Sequence, residues 1–229
     1  MKKILLFILL IIISECLFSQ EKPSYIALKT GVSFPVGKFS GTSLPDGGFA
    51  QTGLSESIEG AWFFIPHFGL VASGGIYIHP VNVRSLGYAK VKSDPFLLDL
   101  TIRSDPYKTY LAMIGLVVNF PVIRNLSVAG KAMGGMAFTA TPYQLYKPTY
   151  YMVESKWYEI TSAGDYEGSF LIGAGFNYRL KNCLALSLES DFTYNAMEFD
   201  FQTSQGTRTD YKKILFVNLN VGVEVVLGK

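Results

Sequence analysis

Cysteine, histidine and tryptophan are nearly missing, with two of each in 229 residues. Cys16 falls in the leader described below, which leaves Cys183 alone and excludes an intrachain disulfide. One cysteine and two histidines supply no metal-ligand spacing, so no metal centre is expected. No phosphate loop or nucleophile elbow is present, so no cofactor is expected either. Charge is sparse at 17%, below the roughly 25% of ordinary domains, and nets only +2. That balance excludes a nucleic-acid partner. Long apolar runs are also lacking. Ile4 to Ile13 gives ten residues where a spanning helix needs about 20, which excludes a helical membrane bundle. No helix-period segment or charge run appears after residue 20.

What remains is apolar and aromatic. Hydrophobic residues make up 49% and aromatics 14%, and mean hydropathy is +0.26. Met1-Lys2-Lys3 before the apolar run, and Ser14 to Gln20 after it, read as a secretory signal peptide over 1–19. Cleavage after Ser19 leaves 20–229 as a single domain with 18 basic against 17 acidic residues. Cys16 invites a lipoprotein reading, but Glu15 is a poor neighbour for a lipidated cysteine.

The mature chain alternates with period two. Leu126, Val128, Ala132, Met136 and Phe138 interleave with Ser127, Ala129, Lys131 and Gly135. Leu215 to Val225 repeats the pattern against Asn218, Asn220, Gly222 and Glu224. Eight such runs are predicted, at 24–34, 54–64, 68–79, 108–120, 126–140, 167–178, 183–195 and 211–227. Turns at 65–67, 120–125 and 179–182 alternate with long connections at 35–53, 80–107, 141–166 and 196–210. Short turns at one end and long loops at the other are the organisation of an eight-stranded antiparallel up-and-down transmembrane β-barrel.

The polar face separates this from a soluble lipocalin-like lipid-binding barrel, whose exterior would carry long charged side chains. Here the polar face is small: Gly69, Ser73, Gly75, Ser127, Ser169, Gly173, Gly175, Ser187. Small residues and a few charges suit the interior of an eight-stranded barrel, which side chains just fill. Lys29, Glu59, Lys131, Glu189, Asp191 and Glu224 lie on that face at matching depth and are expected to form one charge layer across the lumen. Lys29 and Glu224, on the strands that close the barrel, are expected to meet. Aromatics at strand ends, such as Phe64, Phe120, Tyr110 and Tyr194, suit two interfacial girdles.

Ser19-Gln20, Gly31-Val-Ser-Phe-Pro-Val-Gly-Lys-Phe39, Phe120-Pro121 and Arg179-Leu-Lys-Asn182 resemble segments of small outer-membrane β-barrels of the Bacteroidota type, akin to the OmpA/OmpX barrel and PorT-like groups. The resemblance is architectural and spans nearly all of 20–229. It implies an outer-membrane location, lipid and the barrel insertion machinery as partners, and a non-enzymatic structural or surface-contact role. A secretion or assembly accessory barrel and a membrane-embedded lipid-modifying enzyme are the other roles such barrels fill.

For catalysis, His67 is expected in a short turn and His79 at a solvated strand end, with no serine partner for either. The third long connection carries Tyr143, Tyr146, Tyr150, Tyr151, Trp157 and Tyr158, a ring-rich set suited to contacting an extracellular ligand or partner protein, or to packing on the barrel rim.

Overall fold

The computed structural model describes residues 24–151, 153–181, 183–203 and 206–227. The signal peptide and its cleavage site lie outside the described residues. Among the described residues, eleven strands and one helix follow in order: β1 (Tyr25–Val36), β2 (Gly53–Ile65), β3 (Phe68–His79), α1 (Val83–Ser93), β4 (Leu97–Ser104), β5 (Tyr107–Ile123), β6 (Leu126–Ala140), β7 (Gln144–Tyr150), β8 (Tyr158–Ile160), β9 (Gly164–Lys181), β10 (Leu184–Thr203) and β11 (Gly206–Val226). Eight of the strands close into an antiparallel barrel in the order β1-β11-β10-β9-β6-β5-β3-β2. β1 pairs with β11 from Tyr25↔Val226 to Val36↔Leu215, which completes the ring.

Period two decides which side chain points where. On β10, Ala185, Ser187, Glu189, Asp191, Thr193, Asn195, Met197 and Phe199 point inward and are buried. The outward set is apolar and uncovered: Leu28, Ile58, Ile114, Leu188 and Val221 are 47% to 66% exposed. Phe64, Phe68, Phe120 and Tyr178 ring the short-turn end on that outer face. Tyr110, Phe170 and Tyr194 stand toward the long-loop end, where Phe138 stacks on Tyr166 at 4.5 Å.

Three features depart from the sequence expectation. Where a long loop was expected at 196–210, β10 and β11 continue as a paired hairpin to Thr203↔Gly206. At about 3.3 Å per residue that hairpin is roughly 65 Å long, more than a bilayer needs even when tilted. Residues 83–93 form a helix despite a weak periodic signal. The Asn82 side chain caps it by accepting from Ser85 N at 3.0 Å, and Leu86 anchors it. Residues 97–104, expected within a long connection, are a strand instead. They form β4 of a separate sheet, β4-β7-β8, standing above the long-loop end.

Candidate functional site

The lumen is filled in layers. Lys29 Nζ lies 2.6 Å from Glu59 Oε1 and 2.7 Å from Glu189 Oε1. Lys131 Nζ lies 2.8 Å from Glu59 Oε2, 2.7 Å from Glu189 Oε2 and 3.1 Å from Asp191 Oδ1. Two ammonium groups and two carboxylates thus alternate in a closed ring, with Asp191 attached to one corner. Tyr25 donates to Glu59 Oε1 at 2.9 Å, filling a remaining lone pair. All five charged groups are almost wholly shielded from solvent. Unpaired, each would carry a desolvation cost of several kcal/mol, so the ring geometry is what makes them tolerable there.

Glycines make the ring possible. Lys131 pairs across the ladder with Gly173, Glu189 with Gly175 and Lys29 with Gly222. A Cβ on Gly173 would overlap Asp191 Oδ1 and the Lys131 stem, and one on Gly175 would overlap Glu189. Long charged side chains fit side by side in a narrow lumen because the neighbouring strand offers no side chain beside each stem.

Glu224 departs from the expected layer. Its register partners are Ala27 and Ala185, one pleat nearer the short turns than Lys29. Lys29 turns to Glu59 and Glu189 instead, because those two carboxylates stand on both sides of it and Glu224 lies behind. Glu224 makes no ion pair among the described residues, and its Oε1 is buried without a hydrogen-bond partner.

Above the ring is a polar layer of Ser33, Ser55, Asn218, Asn220, Thr193 and Asn195, all buried. Ser55 donates to Asn220, whose Nδ2 reaches Asp191 at 3.3 Å. An aromatic layer closes the long-loop end. Phe39 leaves the loop after β1 and drives into the barrel mouth, edge-on to His79 and Tyr107 with centroids 5.2 Å apart in each case. Phe216 packs on Tyr77 and His79 from the other wall. Nothing in the sequence marked Phe39 as a lumen residue, since it lies in a loop.

His79 is therefore fully buried, not solvated as expected, because Phe39 covers it. Its Nε2 lies 2.9 Å from Ser33 Oγ, a serine partner that sequence separation concealed. The pair faces the lumen rather than the outer wall. Its Nδ1 has no partner to fix the tautomer, and neither residue is accessible. A nucleophile–base pair needs an orienting group and substrate access, and this arrangement supplies neither. His67 sits in a short turn, its Nδ1 3.0 Å from Asn119 O.

The ring-rich connection divides in two. Tyr146 is buried, which fits the packing alternative and not the contact one: at the centre of the cap it stacks on Tyr158 at 5.1 Å and carries Lys90 Nζ 4.4 Å above its ring. Burial lowers the Lys90 pKa and raises that of Tyr146. Tyr143 donates to Glu159, and Tyr150 donates to Asp94 at 3.3 Å. Tyr151, Trp157 and Tyr158 are exposed, with Arg103 and Lys147 over the Trp157 ring at 5.4 and 6.0 Å.

No protein-family model matches the chain, and no curated protein matches it. Among solved structures it is similar to Neisserial surface protein A (TM-score 0.49, 10% identity, 88% of this chain and 96% of that one). Ail of Yersinia pestis is similar at TM-score 0.44 and 12% identity, over 89% of this chain and 99% of that one. OprG of Pseudomonas aeruginosa is similar at 0.46 and 8%, over 90% and 97%.

Proposed function

We propose that this chain is an integral outer-membrane barrel that carries no flow through its lumen and acts through the cap at its long-loop end. The observation that carries this reading is the pairing of a sealed interior with an uncovered apolar exterior. The lumen holds an ion ring below and an aromatic layer above. The outer wall is apolar where a soluble barrel would be charged. Long loops face outward in such barrels and short turns face the periplasm. That orientation places α1 and the β4-β7-β8 sheet outside the cell.

The role is non-enzymatic and one of surface contact, with membrane lipid around the wall and an extracellular ligand or partner protein on the cap. Exposed Tyr151, Trp157 and Tyr158 support it, since rigid aromatic rings give large contact area at little entropic cost. The Ser33–His79 pair does not support a lipid-modifying enzyme, because both groups are enclosed. The closer likeness to Bacteroidota-type and PorT-like barrels, and entry through the insertion machinery, belong to the same proposal and rest on the segments quoted above.

The test is fractionation with topology labelling. The mature protein should partition with outer membranes and change gel mobility on boiling. A cysteine label at Ser43 or Thr149 should react on intact cells, and one at Asn125 only after permeabilisation. Recovery as a soluble protein, or the reverse labelling, would defeat the proposal.

A further inference from the structure

We infer that the outer wall of the barrel holds a lipid-docking site, in which Glu56 takes the primary ammonium of a membrane lipid's head group and the groove beside it takes part of an acyl chain. The inference rests on the outer-membrane reading above and assigns one lipid class to one place on the wall. Between the two aromatic girdles, the outward positions of the described barrel strands carry a single charged residue, Glu56 on β2. Its ladder partners are Thr30 on β1 and Ile76 on β3, both exposed. Leu54 and Ile58 flank it on its own strand and are 63% and 53% exposed.

Register fixes the depth of this carboxylate. Ile76 pairs in turn with Tyr110, a ring of the long-loop girdle. Phe64, on the same face of β2 as Glu56, belongs to the short-turn girdle. From Phe64 to Glu56 the strand climbs roughly 20 Å at a tilt of about 40°. The apolar band of such a barrel is about 25 Å tall, so Glu56 lies just inside its long-loop edge, where hydrocarbon gives way to head groups. A carboxylate at that level is poorly hydrated and needs a partner. No ion pair or hydrogen bond of the Glu56 side chain occurs among the described residues. The lumen cations Lys29 and Lys131 lie on the other side of the wall and are held by Glu59, Glu189 and Asp191.

The wall beside Glu56 is shaped for one molecule. A shallow groove of about 520 Å³ is bounded by Leu28, Thr30, Glu56, Ile58, Gly74 and Ile76. Gly74 makes the hollow: a Cβ built there would meet no atom nearer than 3.9 Å, so no side chain fills the space above it. The volume falls in the range of single-molecule sites, about 300–1,000 Å³. The groove offers hydrocarbon contact along its length and one anionic corner. Charge complementarity calls for a cation at that corner, and the Thr30 hydroxyl beside it adds an acceptor. A primary ammonium donates three hydrogen bonds, enough for both groups, whereas a quaternary ammonium donates none. A divalent metal would find a single carboxylate, and no group of three metal-ligating residues exists among the described residues. A second copy of this chain would bring no cation to this depth, because Glu56 is the one charge on the described band.

The experiment uses the mature protein in mild detergent and counts retained lipid by native mass spectrometry. The probes are phosphatidylethanolamine and phosphatidylcholine with identical acyl chains, which differ only in the hydrogens or methyl groups on the ammonium. The ethanolamine lipid should be retained saturably and at least about tenfold more tightly, as a charge-assisted hydrogen bond supplies. Glu56→Gln should remove that preference. Gly74→Ile fills the groove and should weaken retention of both lipids while keeping the preference. EDTA should change nothing. Each variant is first shown to fractionate with outer membranes and to keep its boiling-dependent gel shift, so failure of the outer-membrane reading and failure of this site are seen separately. If Glu56→Gln does not fold, Glu56→Leu takes its place with the same expectation. Equal retention of the two lipids, a position-56 variant that still prefers ethanolamine, a Gly74→Ile protein that holds both lipids fully, loss of retention in EDTA, or a dimer that Glu56→Gln dissolves would each overturn the inference.

Discussion

Lys29 and Lys131 stand on strands four places apart in either direction around the barrel, yet both reach the same two carboxylates, Glu59 and Glu189. Opposite walls of an eight-stranded lumen are close enough for this only when side chains cross it. The ring therefore ties four strands together through the centre, where ladder hydrogen bonds tie only neighbours.

Removing one corner should cost far more than removing two adjacent ones. Lys131→Met leaves Glu59, Glu189 and Asp191 sharing Lys29 alone, and should lower stability by about 3–5 kcal/mol. Lys131→Met/Glu189→Met removes one charge of each sign and should recover part of that loss. Urea midpoints in detergent for the wild type, both singles and the double decide the matter; strict additivity would show that the ring carries no coupling.

The ring's steric demand gives a second expectation. Gly173→Ala places a methyl group against Asp191 and Lys131, and should destabilise by about 1–3 kcal/mol as overpacking does. Gly134→Ala, with open space around its new Cβ, should stay within about 0.5 kcal/mol of wild type. The same urea series measures both. Equal effects would mean that the lumen gives way at Gly173.

These glycines also show how much could be read from the chain alone. Alternation placed all eight barrel strands and their inward faces, because period two is a local property of each segment. It also grouped Lys29, Glu59, Lys131, Glu189 and Asp191 by depth from the turns. It misassigned Glu224, because depth counted in residues ignores the stagger between tilted strands, which sets Lys29 against Gly222. Phe39 and the Ser33–His79 contact were illegible for another reason. A loop folding back into the lumen leaves no periodic trace, and Ser33 and His79 are 46 residues apart. Helix α1 was hidden because its stability comes from Asn82 and packing against β4, not from a strong apolar stripe.

The two seals should act in series. Phe39→Ala empties the centre of the aromatic layer and should cost about 3 kcal/mol or more in stability. It should not open the barrel, since the ion ring below is intact. Lys131→Ala alone should likewise stay closed beneath Phe39. The double substitution is expected to conduct in planar bilayers. Steady conductance from the wild type or from either single would reject the series arrangement and, with it, the sealed lumen.

The cap should weaken in alkali. Tyr146 has its pKa raised by burial, Tyr150 and Tyr158 by partial desolvation with Asp94 and Tyr150 respectively beside them, and Tyr143 by its hydrogen bond to Glu159. An unfolded phenol ionises near pH 10. Above that pH the folded cap holds protons that the unfolded segment has lost. Stability is then complete below about pH 10 and falls as pH rises toward the folded values. Lys90 works in the opposite sense: its pKa is lowered by burial, so its share of stability grows as pH rises toward its ordinary value. Four phenols against one ammonium set the net direction as loss. Tyr146 is the most buried of the four rings and should ionise at the highest pH. Phenolate absorbance and hydrogen exchange of β4 and β7, followed together across the alkaline range, test this. Exchange protection of β4 and β7 should fall as the Tyr146 ring ionises, and Tyr146→Phe should flatten the loss of protection. Protection that holds while every phenol titrates would show that the cap does not depend on its tyrosines remaining neutral.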